Sequence, residues 1–233
     1  MNIIGIDPSL ISTGLVVNGK IFNYCRESDA CNKSGLSKWF KLCEEYVNLR
    51  FIQYQKITSY SEGEISKLID YDKITNMIIS DIELNIDKSK PTKIGIEGFS
   101  FSSAYGDLID LVTFSTLLRK KLYDYITKDI LVLSPSSLKQ EACKLTYKPI
   151  DIGKKKPKLV YKNNQGIPGG SFTKIEMCLS IIENKNLTDD WANHLRSIQT
   201  ELMSGKSIKK PYEDINDAKI ISYVLNNLFG GIK

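Results

Sequence analysis

Four acidic residues stand at positions where an acid needs a reason. Asp7 closes the apolar run Ile3-Ile4-Gly5-Ile6, and Glu97 closes a second run of the same design, Lys93-Ile94-Gly95-Ile96. Short apolar runs bounded by Gly and Pro read as buried strands, so both carboxylates fall where a strand leaves its sheet. Asp214 and Asp217 lie three apart at the start of a late helical segment and therefore share one face. The apolar stripe of that segment runs Ala218, Ile221, Leu225, Leu228, so the two acids extend the inward stripe instead of opposing it. Each acid has an ordinary alternative: Asp7 as a turn cap, Glu97 as a solvated strand end, Asp214 as a helix N-cap or partner of the helix dipole. A cap does not need a second inward acid, and hard divalent cations take oxygen ligands fixed on rigid elements. The set is that expected of a Mg²⁺ site, where two ions activate water and stabilise a leaving oxygen in phosphodiester cleavage.

The elements that must carry these residues are partly legible. Val16-Val17-Asn18-Gly19-Lys20-Ile21-Phe22 holds the Asn-Gly pair favoured in two-residue hairpins, which makes neighbouring strands antiparallel. Residues 26–37 are polar, and 39–57 mix both periods without an assignment, although 48–57 could be a further strand. Isoleucines and Leu68 at threes and fours predict a helix over 61–86, and a wider apolar stripe predicts another over 104–126. A stripe that wide serves a core on more than one side, or a core and a subunit interface. Ile130-Leu131-Val132-Leu133 reads as a strand, Ser134-Pro135 as a helix start, and 174–183, 188–204 and 213–225 as helices. Strands alternating with helices imply a sheet with a parallel part.

Composition excludes several chemistries. A single histidine, His194, argues against Ser/His/Asp catalysis and His-rich zinc sites. Five cysteines, Cys25, Cys31, Cys43, Cys143 and Cys178, include no Cys-x-x-Cys pair and read as reduced thiols. No run resembles a membrane span or a signal peptide, so the expected location is the cytoplasm and no membrane partner is expected. Among 233 residues the net charge is only +5, but residues 139–162 hold eight lysines against Glu141 and Asp151. Positive charge is therefore concentrated in one segment, as in phosphate-contacting surfaces. Within it, Lys154, Lys155, Lys156 and Lys158 fall in an aperiodic stretch over 149–173 that reads as a basic flap or a plain solvated loop.

In these patches the chain resembles the RuvC family of Holliday-junction resolvases, of the ribonuclease H-like superfamily. Ile4-Gly5-Ile6-Asp7-Pro8 with Thr13-Gly14 is similar to that family's first strand, Ile96-Glu97 to its second acidic strand, and Asp214-Ile215-Asn216-Asp217-Ala218 to its C-terminal pair of acids. Ser134-Pro135-Ser136-Ser137-Leu138-Lys139-Gln140 is similar to the segment bearing a functional lysine, which puts Lys139 beside the chemistry. The resemblance implies an α/β fold with a five-stranded mixed sheet flanked by helices, one nuclease domain over the whole chain, and a homodimer resolving branched DNA, above all four-way junctions. It also implies an endonuclease dependent on Mg²⁺, with Mn²⁺ as a substitute, and two ions per site on Asp7, Glu97, Asp214 and Asp217. Compared with the compact bacterial enzymes, the region over about 26–90 and the basic loop over about 149–173 are enlarged, which is more like a phage or viral member in a host cytoplasm. Phe99 and Phe101 bracket the place of the family's junction-opening aromatic without matching it. The rival classes are an ATPase of the actin and sugar-kinase type and a non-catalytic junction-binding protein. The first needs a second phosphate hairpin and a Gly-rich adenosine motif, for which Gly169-Gly170 is too isolated.

Overall fold

The computed structural model describes residues 1–27, 36–53, 57, 59–99, 105–146, 150, 151, 159, 160 and 172–230. Three strands open it: β1 (Asn2–Asp7), β2 (Ser12–Val17) and β3 (Lys20–Arg26). Asn18 at φ 50° and Gly19 at φ 90° form the left-handed turn between β2 and β3, as the Asn-Gly pair predicts. Helix α1 (Leu36–Cys43) and strand β4 (Asn48–Ile52) follow, then the long helix α2 (Tyr60–Asn85) and strand β5 (Thr92–Glu97). Helix α3 (Tyr105–Lys121) ends in a wider π-helical turn, Leu122–Ile126, before β6 (Ile130–Leu133) and α4 (Pro135–Lys144). A two-stranded ribbon, β7 (Ile150–Asp151) with β8 (Leu159–Val160), lies in the stretch that sequence reads as an aperiodic loop. Helices α5 (Lys174–Glu183), α6 (Asp190–Ser197), α7 (Gln199–Leu202) and α8 (Tyr212–Phe229) complete the described chain.

The main sheet has the order β4-β3-β2-β1-β5-β6. β1, β2 and β3 are antiparallel neighbours, while β5 and β6 run parallel to β1, so the sheet is mixed and helices cover it. This is the α/β architecture expected, with a correction in the strand count: among the described residues the main sheet has six strands, not five. The extra one is β4, which pairs parallel to β3 at the edge. Its residues are mostly half-buried or exposed, including Phe51, so its sequence lacks the apolar run of an interior strand.

Both faces of β1 are buried, and alternation decides what each face meets. Ile4, Ile6, Ile94 and Ile96 pack with Ile78 and Ile82 of α2 and with Phe114 and Leu118 of α3. On the opposite face Val16 and Leu133 pack with Ile215, Ala218 and Ile221 of α8. Helix α8 lies very close to the sheet there. A Cβ on Gly5 would overlap the carbonyl of Ala218, and one on Gly14 would overlap the carbonyl of Asp214, so two glycines admit the helix backbone where a side chain would exclude it. Leu228, assigned by sequence to the inward stripe of α8, is exposed near the helix end.

Candidate metal centre

The parity of β1 and β5 places the first two acids. The strands pair in parallel register with Ile6 opposite Ile96, so Asp7 and Glu97 end adjacent strands on the same side, and neighbouring strands are about 4.8 Å apart. Both point away from the isoleucine face, toward α8. Asp7 is also opposite Gly14 in the β1–β2 ladder, and Gly14 is the residue that lets the backbone of Asp214 touch the sheet. The first turns of α8 therefore descend onto the ends of β1 and β5. Asp217 arrives beside the strand-end carboxylates, and one oxygen from each of Asp7, Glu97 and Asp217 lies within 4.8 Å of the others. The turn after Asp7 is closed by Thr13, whose hydroxyl donates to the Ser9 carbonyl (2.8 Å) and accepts from the Ser9 N–H (3.2 Å).

Burial and mutual repulsion govern this cluster. Asp7 and Asp217 are 6% and 1% exposed. Burial is the largest influence on Asp7 and raises its pKa well above the usual carboxylate range, with the charges of Glu97 and Asp217 pushing the same way. Asp217 is pushed up to about 7, again first by burial, against the attraction of Lys174. Lys174, the first residue of α5, forms an ion pair with Asp217 Oδ2 and stands 4.0 Å from Glu213 Oε1. Burial works against its ammonium, yet Asp217, Asp7 and Glu97 outweigh that effect and its pKa stands above that of a free lysine.

Asp214 is buried but is not part of the three-carboxylate group. Helix α8 begins at Tyr212, so Asp214 lies within the first turn and is not the cap; its Oδ1 accepts from Lys210 Nζ at 2.6 Å. The oxygens Asp214 Oδ2 and Asp217 Oδ1 are buried with no hydrogen-bond partner among the described residues. Buried carboxylate oxygens without donors, beside three converging acids, are what a divalent cation would satisfy, so the donor set fits such an ion.

The other residues singled out by sequence divide. Lys139 sits on α4, half-buried, while the cations paired with these acids are Lys174 and Lys210. Lys210 could have been found from its place four residues before Asp214 at a helix start, whereas Lys174 opens a helix distant in sequence from the acid it pairs with. Phe99 is half-buried with the Arg119 guanidinium 4.2 Å from its ring centre. Phe101, Lys154, Lys155, Lys156 and Lys158 lie outside the described residues. His194 is structural: its Nε2 is 2.8 Å from the Tyr212 hydroxyl and its ring stacks on Tyr46. Burial holds its pKa below the ordinary imidazole value. Cys25, Cys43, Cys143 and Cys178 are buried thiols outside any disulfide. Among the described residues no helix is long and apolar enough to cross a membrane.

No protein-family model matches the chain, and no curated protein matches it. Among solved structures it is similar to T. thermophilus RuvC in complex with Holliday junction substrate, at 11% identity and a TM-score of 0.46, over 99% of this chain and 97% of that one.

Proposed function

We propose that the chain is a metal-dependent endonuclease that hydrolyses phosphodiester bonds in branched DNA, above all in four-way junctions, as a homodimer of single nuclease domains. The observation that carries this reading is the meeting of Asp7, Glu97 and Asp217 at the ends of two parallel strands, with buried oxygens that lack donors. Nothing about such a trio is needed for folding, and its repulsion opposes folding. The enlarged segments beside the motifs that resemble the RuvC family favour a phage or viral member working in a host cytoplasm.

Asp7, Glu97 and Asp217 hold the ion, Mg²⁺ or Mn²⁺, with Asp214 at the edge of the group as the acid for a second one. The bound metal supplies an activated water and stabilises charge on the leaving oxygen. Lys174 engages Asp217 through Oδ2, which fixes that carboxylate and leaves Oδ1 for ligation. Lys139 contacts the phosphate near the cut, and Lys154, Lys155, Lys156 and Lys158 add sequence-independent affinity through counterion release. Phe99 and Phe101 stack on bases unpaired at the crossover, where an aromatic contributes roughly 1–3 kcal/mol per base.

A gel assay with a labelled four-way junction, a linear duplex and a single strand tests the reading. Cutting of the junction in Mg²⁺, absent in chelator and weak on duplex, is the expected result. A protein that binds the junction and leaves it intact in Mg²⁺ and in Mn²⁺ would return the chain to the binding-protein class. Light scattering and mapping of cuts in each strand test the two-fold arrangement.

A further inference from the structure

The surroundings treat the four acids unequally. Asp217 gives one oxygen to Lys174 and still takes part in the trio with Asp7 and Glu97. Asp214 stands one turn earlier on α8, outside the trio, and its partner is a lysine of a different kind of placement. Lys210 lies immediately before α8, and its ammonium donates both to Asp214 Oδ1 (2.6 Å) and to Ser9 Oγ (3.3 Å). Ser9 belongs to the turn that follows Asp7, so this ammonium joins the two sides of the acidic site. Its side chain is 26% exposed, whereas that of Asp214 is 4% exposed, which leaves the lysine a route to solvent and the acid none. Asp214 Oδ2 remains buried and without a donor among the described residues. A carboxylate offers about four lone-pair directions, so Asp214 retains capacity for a second cation. An adjacent ammonium repels that cation.

We infer that Lys210 is a resident cation that occupies Asp214 in the free protein, so that one divalent ion binds tightly at Asp7, Glu97 and Asp217 and a second binds at Asp214 only after Lys210 moves off. The inference rests on the metal-site reading and deepens it. Lys210 is thus a positioning residue: it sets how many ions the free site holds. A lysine that arrests the second ion until substrate displaces it keeps the free enzyme short of a complete site.

Titration of the full-length protein with Mn²⁺ alone, with free Mn²⁺ followed by its electron paramagnetic resonance signal, reads the stoichiometry directly. The wild type is expected to take one ion tightly. Lys210→Met should take two, the second at least about tenfold tighter than in the wild type, within the usual range of coupling between sites. Asp214→Asn should bind the first ion as the wild type does, and this arm decides the matter if Lys210→Met does not melt as a folded protein. Two ions of like affinity in the wild type overturn the inference, as does an Asp214→Asn protein that loses the first ion as completely as Asp7→Asn. A folded wild type that takes no Mn²⁺ at all overturns the metal-site reading itself, an outcome distinct from the other two.

Discussion

Replacing Asp7 with Asn should make the metal-free protein more stable while destroying its metal response. The three carboxylate oxygens lie within 4.8 Å of one another. At that separation and an effective dielectric of 20, two unit charges repel by about 3.5 kcal/mol. Asp7→Asn removes two such repulsions, from Glu97 and Asp217, and one weaker attraction, to Lys174. The net gain is on the order of 3.5 kcal/mol, or roughly 7–14 °C in Tm for a chain of this length. The sign with pH follows from pKa values raised in the folded state. Below the unfolded value of 3.8 the acids are neutral in both states and cost nothing. The penalty grows as pH rises through the folded value, about 7 for Asp217. Scanning calorimetry in chelator at pH 8 should therefore show Asp7→Asn melting above the wild type, with the gap closing toward pH 4. Mg²⁺ at a thousand times Kd should reverse the order, since it adds about 4.1 kcal/mol to the wild type alone, more than the advantage of the variant. A variant that melts below the wild type in chelator at pH 8, with no change in the gap toward pH 4, would refute the reasoning.

Other outcomes follow from the same geometry. Gly14→Ala forces a Cβ into the Asp214 carbonyl and should cost about 1–3 kcal/mol in denaturant titration, with loss of cleavage as α8 lifts from the sheet. Lys174→Met removes the partner of buried Asp217 and should destabilise the metal-free protein by about 3–5 kcal/mol at pH 8. That loss should shrink at pH 5, where Asp217, its pKa already raised, is protonated instead. Neutralising Lys154, Lys155, Lys156 and Lys158 should lower the slope of log affinity against log salt by about 3–4 units in a fluorescence titration with DNA.

Much of the site was legible because strand ends are. Asp7 and Glu97 each close an apolar run, and parallel pairing of those runs is sufficient to bring them together. The inward position of Asp217 was legible from the stripe of its helix. Its neighbour Asp214 shares that face, but three residues along a helix is about 4.5 Å of rise, and spacing alone does not say which of the two reaches the strands. The lysines that divide the acids between them come from distant segments: Lys174 follows the basic stretch, and Lys210 acts only because the chain turns before α8. Strand β4 was hard to read because an edge strand with exposed residues carries neither an apolar run nor a clean alternation. Helix α1 is short, and most of it falls in a segment whose apolar residues, Trp39, Phe40, Leu42 and Cys43 among them, fit both periods. Lys219 is buried and paired with Asp189, the N-cap of α6, at 3.2 Å, a contact that brings together helices α6 and α8.

The central claim is that the trio at the strand ends performs phosphodiester hydrolysis. Single-turnover cleavage of a four-way junction by the wild type and by Glu97→Gln, at matched junction occupancy, tests it most directly. Glu97→Gln should bind the junction as the wild type does and cut it about a hundred- to a thousandfold more slowly, the loss typical of removing a group that stabilises developing charge. Equal cutting rates for the two proteins in Mg²⁺ would contradict it.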